Sequence, residues 1–372
     1  MHVKIARDGL VSISHRVQGA IEDRGYAQIG LKAEGSVLSA SVVDKTMAAY
    51  ASSSCQVDQS GVVFVPARIF IDITRELPVG IISLIKEGSV LVVKGGASNQ
   101  FIMKLPIIEE AFWREQPTFL HASSCSISSA KLSYMIEQVS FCVNIECPRN
   151  YGTVAYLHKD SSGVLRLVGS DGFRLSYCDI NSEMPENFLE KGICISKRSL
   201  LELHKMCQEG SQEILIAISS DQSMVSATIN NYDLFFLVSV IKYPNYKTVI
   251  PSGHQKKVLV DKVVMQSVTK RILLASDKMR SLQLSFSNEG LTLSAKDVGT
   301  TEGKELVNLN LQGNFDQKIA VNGRYLNEIF SICSGQEIEM QFEDEETPIL
   351  IHSISEPKDC KSQHVLVPLQ ER

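Results

Sequence analysis

The chain has 372 residues, 37 Lys and Arg against 42 Asp and Glu, a formal net charge of −5 and a hydrophobic fraction of 44%. This is apolar material enough for several domain-sized cores, and the charged fraction of 21% is that of an ordinary globular protein. No apolar run approaches the ~20 residues that span a bilayer, the first residues carry no apolar signal segment, and the acidic total argues against a nucleic-acid binder unless charge is segregated.

An apolar-periodic helix over roughly residues 8–20 comes first, then a strand through Ser39, Ala40, Ser41, Val42 and Val43 that ends on Asp44. Val65-Pro66-Ala67-Arg68 starts a second helix. Its Arg68, Asp72 and Arg75 share one face at i, i+4 and i+7, and Phe70, Ile73 and Leu77 share the opposite one. The strand Ser89 to Val93 leads into Gly95-Gly96, which opens no helix and reads as a turn rather than a phosphate cradle.

The same sequence of elements then returns twice. A helix over roughly 128–142, with Ser128 or Ser129 as its N-cap, precedes a strand from Leu165 that ends on Asp171. Ile195-Ser196-Lys197-Arg198 starts the next helix, with Arg198, Glu202 and Lys205 opposite Leu200, Leu203 and Cys207, and the strand Ile214 to Ile218 follows. In the third round a helix over roughly 261–275 is capped by Asp261, and a strand from Leu291 ends on Asp297. Val321-Asn322-Gly323-Arg324 then opens a helix with Arg324, Glu328 and Ser331 opposite Leu326, Ile329 and Phe330, before the strand Ile349 to Ile351. The arginines are spaced 198 − 68 = 130 and 324 − 198 = 126, and the aspartates 171 − 44 = 127 and 297 − 171 = 126. A period of this length is a small domain copied in tandem, not a solenoid repeat. It predicts an α+β chain of three domains, over residues 1–119, 120–250 and 251–372.

Nothing in the sequence is arranged for catalysis. There is no P-loop, G-x-S-x-G elbow or H-E-x-x-H. The eight histidines have no metal-ligand spacing, and His204 reads as a packed or surface residue. Cys142 and Cys147 are the closest of nine cysteines, but no second Cys or His pair accompanies them. Reduced thiols, and hence a cytoplasmic compartment, are the expectation. Asp171-Gly172 reads as a turn suited to positive φ, and Glu343-Asp344-Glu345-Glu346 as a solvated loop. No catalytic residue, metal or cofactor is expected. Charge is segregated instead: Arg68, Arg75, Lys197, Arg198, Lys205 and Arg324 fall on equivalent helix faces, where they can meet phosphates. The Arg68/Asp72 and Arg198/Glu202 spacing is also that of a surface i,i+4 ion pair worth ~0.3 kcal/mol, and the two roles are compatible.

Four segments carry a family resemblance. Val168-Gly169-Ser170-Asp171-Gly172-Phe173-Arg174-Leu175-Ser176 resembles the A-T-D-G-H-R-L-A signature of bacterial sliding clamps, the beta subunit of the DNA polymerase III holoenzyme. Tyr243-Pro244-Asn245-Tyr246-Lys247-Thr248-Val249-Ile250-Pro251 is similar to that family's F-P-D-Y-x-x-V-L-P, and Val65-Pro66-Ala67-Arg68 to its V-P-A-R. His364-Val365-Leu366-Val367-Pro368-Leu369 is similar to its closing Y-V-V-M-P-M. The resemblance covers the whole chain, and it implies a non-enzymatic processivity factor without cofactor. In that family two three-domain chains close head to tail into a ring around duplex DNA, with helices lining the hole and sheets outside.

The resemblance also implies sites. DNA would face Arg24, Arg68, Arg75, Arg149, Lys197, Arg198, Lys205 and Arg324. A pocket for a short hydrophobic motif, carried by the polymerase catalytic subunit, the clamp loader and repair proteins, would be walled by Ser170, Gly172, Phe173, Arg174, Leu175, Pro244, Val249, Pro348, Val365, Val367, Pro368 and Leu369. Removing Pro368 to Arg372 would then abolish peptide binding. Leu273 and Leu274 fit the homodimer interface by position and fit a core equally. Departures are concentrated in the first domain. Tyr26-Ala27-Gln28-Ile29-Gly30 replaces the family's P-I-L after Arg24, and Ala111-Phe112-Trp113 stands near where F-P closes that domain. The family's histidine after D-G is Phe173, and the spacing around Arg149-Asn150-Tyr151-Gly152 differs. These departures leave a divergent clamp paralogue or scaffold serving repair as the alternative reading.

Overall fold

The computed structural model describes residues 1–21, 27–96, 100–118, 123–160, 162–186, 188–189, 191–210, 212–297, 299, 301–309 and 316–370. The first repeat runs β1 (His2–Ala6), α1 (Arg7–Val17), β2 (Gln28–Glu34), β3 (Val37–Val43), β4 (Met47–Ser54), a short β5 (Gln56–Gln59), β6 (Gly61–Pro66), α2 (Ala67–Arg75), β7 (Ile81–Glu87), β8 (Val90–Gly95) and β9 (Phe101–Pro106). The second runs β10 (Ser123–Ser128), α3 (Ser129–Ser140), β11 (Val154–Lys159), β12 (Leu165–Ser170), β13 (Arg174–Ile180), β14 (Ile193–Ser196), α4 (Lys197–Cys207), β15 (Glu213–Ile218), β16 (Met224–Ile229) and β17 (Tyr232–Leu237). The third runs β18 (Lys256–Asp261), α5 (Lys262–Ile272), β19 (Ser281–Ser287), β20 (Gly290–Lys296), β21 (Glu302–Val307), β22 (Gln317–Asn322), α6 (Gly323–Ile332), β23 (Glu337–Phe342), β24 (Ile349–Ser353) and β25 (Cys360–Leu366).

Each repeat is itself doubled, a feature the sequence motifs do not reveal. Apart from β5, the element order is strand, helix and three strands, six times over. The halves of a repeat exchange their first strands: β1 pairs with β7 and β6 with β2, β10 with β15 and β14 with β11, β18 with β23 and β22 with β19. Repeats are joined through the last strand of a half, β4 to β17 and β13 to β25, both antiparallel. Two last strands remain at sheet ends among the described strands, β9 and β21.

The chain forms two compact bodies, one of residues 1–129 with 205–238 and the other of 130–204 with 239–372. In the second, Leu284, Phe286, Leu326, Phe330, Met340 and Ile351 share one apolar core, in which Phe286 and Phe342 stack with centroids 4.2 Å apart. The expected helix faces are correct: Phe70, Ile73, Leu77, Leu200, Leu203, Cys207, Leu326, Ile329 and Phe330 are all buried. The residue before each of these helices caps it in two repeats. Ser196 Oγ accepts from Ser199 N, and Asn322 Oδ1 accepts from Arg324 N and Tyr325 N. Asp261 caps α5 by accepting from Val264 N at 2.9 Å. Ser129 is not a cap; its hydroxyl donates to Gly210 O and accepts from Gln212 N.

The aspartates that end a strand in the first two repeats share a local role. Asp44 Oδ1 accepts from Thr46 N and Met47 N, and Asp171 Oδ1 accepts from Phe173 N and Arg174 N. A carboxylate that holds two amides of the following turn fixes the hairpin without help from distant residues. Gly96, after β8, has φ +81 and belongs to a turn, as expected. Glu343 to Glu346 lie between β23 and β24, where Asp344 accepts from Glu346 N and Thr347 N. No helix among the described residues is long and apolar enough to cross a membrane.

Candidate functional site

A cavity of about 270 Å³ lies where the end of β12, the start of β13, the segment 243–249 and the end of β25 meet. One wall is the Asp171 turn. Gly172 adopts φ +87, which an L side chain rarely tolerates, and its N–H donates to Ser170 Oγ. The second wall is Tyr243, Pro244, Asn245, Tyr246, Thr248 and Val249, the last four residues of 243–249 forming a 3₁₀ turn (Tyr246–Val249). The third is Val365 and Val367, and Val367 N donates to Phe173 O at 3.0 Å, closing the corner.

A run of rings holds the second wall on the sheet. Tyr243 stacks on Tyr156 with centroids 5.2 Å apart, and Tyr156 stacks on His158 at 4.8 Å. His158 Nδ1 faces Lys159 O, so it carries the proton, and Nε2 accepts from the Tyr246 hydroxyl at 2.8 Å. Burial pushes the His158 pKa down, which keeps the ring neutral and preserves that acceptor. Burial also pushes the Tyr243 and Tyr246 hydroxyls up, so both remain protonated. Below them Arg166 makes a bidentate pair with Asp179, both bonds 2.6 Å, and lies 4.3 Å over the Tyr177 ring. The linker is therefore a stiff wall, so little ordering entropy is lost when a ligand enters.

The other wall rests on buried charge. The Arg174 guanidinium reaches Asp171 Oδ2 at 3.0 Å, Glu328 Oε2 at 2.5 Å and Phe141 O at 2.9 Å. It is sandwiched between the Phe141 and Tyr325 rings, at 4.9 and 4.2 Å. Each of its three nitrogens donates to a protein acceptor, which fixes the guanidinium as part of the pocket wall.

Three family models match the chain in order: DNA polymerase III beta subunit, N-terminal domain, over residues 1–110; central domain, over 126–245; and C-terminal domain, over 247–370. The chain belongs to the DNA polymerase III beta subunit family. It is 26% identical over 377 residues to the beta sliding clamp of Pseudomonas aeruginosa and 25% identical over 382 residues to that of Caulobacter vibrioides, each match covering 100% of both chains. Among solved structures it is similar to a DnaN sliding clamp (DNA polymerase III subunit beta) from Pseudomonas aeruginosa bound to griselimycin. That match has a TM-score of 0.89, 25% identity and 100% coverage of both chains.

Within this beta-subunit fold, the expected pocket residues divide into two groups. Ser170, Gly172, Arg174, Leu175, Pro244, Val249, Val365 and Val367 line the cavity. The other four do not. Phe173 is 50% exposed beside the cavity, with the Arg149 guanidinium 5.1 Å over its ring. Pro348, the residue before β24, is half-buried and outside the lining, and its carbonyl accepts from His254 Nε2. Pro368 is buried, and Leu369 N donates to Ala320 O while its side chain lines a separate cavity with Lys318, Glu345 and Gln370. Tyr151, Tyr243, Asn245, Tyr246 and Thr248 also line the cavity, beyond the expected residues; the closely spaced Tyr243 and Tyr246 were the available signal.

A smaller counterpart of about 130 Å³ lies beside the equivalent turn of the first repeat, lined by Asp44, Thr46, Met47, Pro117, Phe235 and Leu237 among others. Pro117 corresponds to Pro244, at 244 − 117 = 127, and closes the first repeat where an F-P was missed. Phe235, Phe236 and Leu237 stand where the larger cavity has Val365, Leu366 and Val367, and the bulkier rings fill the space.

The predicted cationic faces are less uniform than the spacing suggested. Arg68 and Arg75 are exposed, and on α2 Arg75 pairs with Asp72 at 3.0 Å, i,i+3. On α6 the pair is Arg324 with Glu328, at 2.9 Å and i,i+4. Lys197 and Lys205 end on backbone carbonyls, Val143 O at 2.5 Å and His15 O at 2.7 Å, and Arg198 is half-buried. Arg149 donates to Asp171 O, at 3.3 Å, and so belongs to the rim of the pocket. Arg24 lies outside the described residues. His204 bonds Glu137 at 2.9 Å on the surface. Leu274 is 85% exposed in a 3₁₀ turn (Leu273–Ala275) after α5, whereas Leu273 is half-buried.

Proposed function

We propose that this chain is a ring-forming sliding clamp: a non-catalytic accessory subunit that encircles duplex DNA and tethers the replicative polymerase and other partners through the 270 Å³ pocket. The observation that carries this reading is the pairing rule of the fold. The last strand of each repeat's first half joins the last strand of the next repeat's second half, as β4 joins β17 and β13 joins β25. Applied once more, the rule joins β21 of one copy to β9 of a second. A head-to-tail junction of this kind closes into a ring when the rotation permits, and the family resemblance supplies two copies and three domains each, over 1–119, 120–250 and 251–372. Exposed Ile102 and Met103 on β9, and Leu306 on β21 with Leu274 on the 3₁₀ turn packed against β21, supply apolar surface for that junction.

The remaining features suit the same work. Arginines on α2 and α6, already balanced by acids one turn away, attract phosphates weakly and without reading bases. A ring that holds DNA loosely slides; one that made tight base contacts would stall. The pocket is apolar and pre-formed, with polar groups confined to its edges, and accepts a short hydrophobic segment from a polymerase, a clamp loader or a repair protein. The cytoplasm, where a bacterial chromosome is copied, is the compartment this reading requires. The test is retention on nicked circular DNA against the same DNA linearised, after loading by the cognate ATP-driven loader. A clamp stays on circles and runs off linear ends. Equal retention on both would mean ordinary electrostatic binding, and the ring would have to be abandoned.

A further inference from the structure

The acid one turn after the helix arginine recurs in every repeat as Asp72, Glu202 and Glu328, but only in the third has it been traced to the pocket wall. Glu328 on α6 divides its carboxylate between two arginines. Oε1 accepts from Arg324 Nε at 2.9 Å, on the exposed face of the helix, and Oε2 accepts from Arg174 at 2.5 Å, in the interior. Arg174 continues the chain to Asp171, whose other oxygen holds the amides of Phe173 and Arg174 and so shapes the turn that walls the cavity. Four ion-paired side chains thus connect a surface cation to the pocket without a break.

We propose that Glu328 is a positioning residue for the pocket and that, through Arg324, it couples phosphate binding on α6 to peptide occupancy. This rests on the sliding-clamp reading given above. The sign follows from the shared carboxylate. A phosphate that draws Arg324 away leaves the whole negative charge of Glu328 on Arg174. Arg174 is then held harder between Glu328, Asp171 and the Phe141 carbonyl, and the wall it forms is better ordered before a peptide arrives. Phosphate therefore tightens peptide binding, and by linkage peptide tightens phosphate by the same factor. The burial of Arg174, between the half-buried Phe141 and Tyr325 rings, makes this path effective, because water does not screen it as it would a surface pair. Although burial opposes the charged form of Glu328, its bonds to Arg174 and Arg324 prevail and hold its carboxyl below the usual range.

The experiment measures the affinity of a fluorescent hydrophobic clamp-binding peptide for the full-length protein, with and without a short DNA duplex at low salt. For the unaltered protein the duplex should tighten the peptide about threefold to fivefold, at the low end of ordinary allosteric couplings. Arg324→Gln, on an exposed side chain, should bind the peptide about threefold to fivefold tighter without duplex, since it mimics the withdrawn arginine, and the duplex should add nothing further. Glu328→Gln should weaken the peptide about tenfold and also lose the duplex response. A duplex response that survives Arg324→Gln, or unchanged peptide affinity in Glu328→Gln, would overturn the proposal while leaving the clamp intact. If the unaltered protein bound neither peptide nor duplex, the clamp reading itself would fall, and this inference with it.

Discussion

Replacing Leu274 by alanine probes the junction between copies. In the single chain this side chain is 85% exposed, so its truncation should leave folding unchanged. At a β21-to-β9 junction it would be covered. Burying a whole leucine side chain is worth about 2 kcal/mol, so most of that, ~1.7 kcal/mol, is at stake at one junction. A closed ring of two chains contains the junction twice, giving ~3.4 kcal/mol, which raises the dimer dissociation constant roughly 300-fold. Sedimentation velocity across a dilution series reads the constant directly, and retention on circular DNA should fall with it. Ile145→Ala is the control, since Ile145 is 71% exposed and lies on none of the edge strands. A dissociation constant that did not move in Leu274→Ala, or that moved equally in the control, would refute the assignment of Leu274 and the ring geometry built on it.

Val367→Glu places a carboxylate in the apolar wall, and peptide affinity measured by fluorescence anisotropy should fall more than ~30-fold with the unfolding midpoint unchanged, because Val367 is already 39% exposed. Truncation after Val367 is expected to weaken the pocket rather than abolish it, as the lining Val365 and Val367 remain while the Leu369–Ala320 bond and the buried Pro368 are lost. Gly172→Ala forces a Cβ onto φ +87 and to 2.8 Å from Arg149 Cζ, so chemical denaturation should show a loss of about 1–2 kcal/mol, with weaker peptide binding as Arg149 is displaced. Stability should also fall in acid through His364, whose pKa burial pushes from 6.5 down to about 3, with repulsion from His352 adding to it. The folded ring stays neutral while the unfolded one takes up a proton, so stability present above pH 6.5 is lost as pH falls toward 3, by about 1.4 kcal/mol per unit at most. His364→Asn should flatten the slope of unfolding free energy against pH by one proton in that window.

The helices, their buried faces and the tandem repeat were legible from sequence because they rest on contacts within a few residues of one another. Leu326, Ile329 and Phe330 lie on one side of α6 by helical periodicity alone, and Asp171 grips the amides two and three places ahead of it. The motifs around Asp171, Pro244 and Val365 likewise located three walls of one pocket, since each is a short segment with its own local geometry. Other features depended on partners that sequence spacing does not name. Arg149 and Arg174 are arginines of the same type in neighbouring segments, yet one stacks over Phe173 at the rim and the other is sealed between Asp171 and Glu328, 154 residues away. Tyr156 and His158 became supports of the pocket only when the segment carrying Tyr243 and Tyr246 was laid across their strand. The doubling of each repeat shows in no shared motif, because it lives in which strands pair. Local periodicity determined the elements; the exchange of first strands and the two edges left over were decided by long-range register, where the free energy comes from ladders and packing that no stretch of sequence contains by itself.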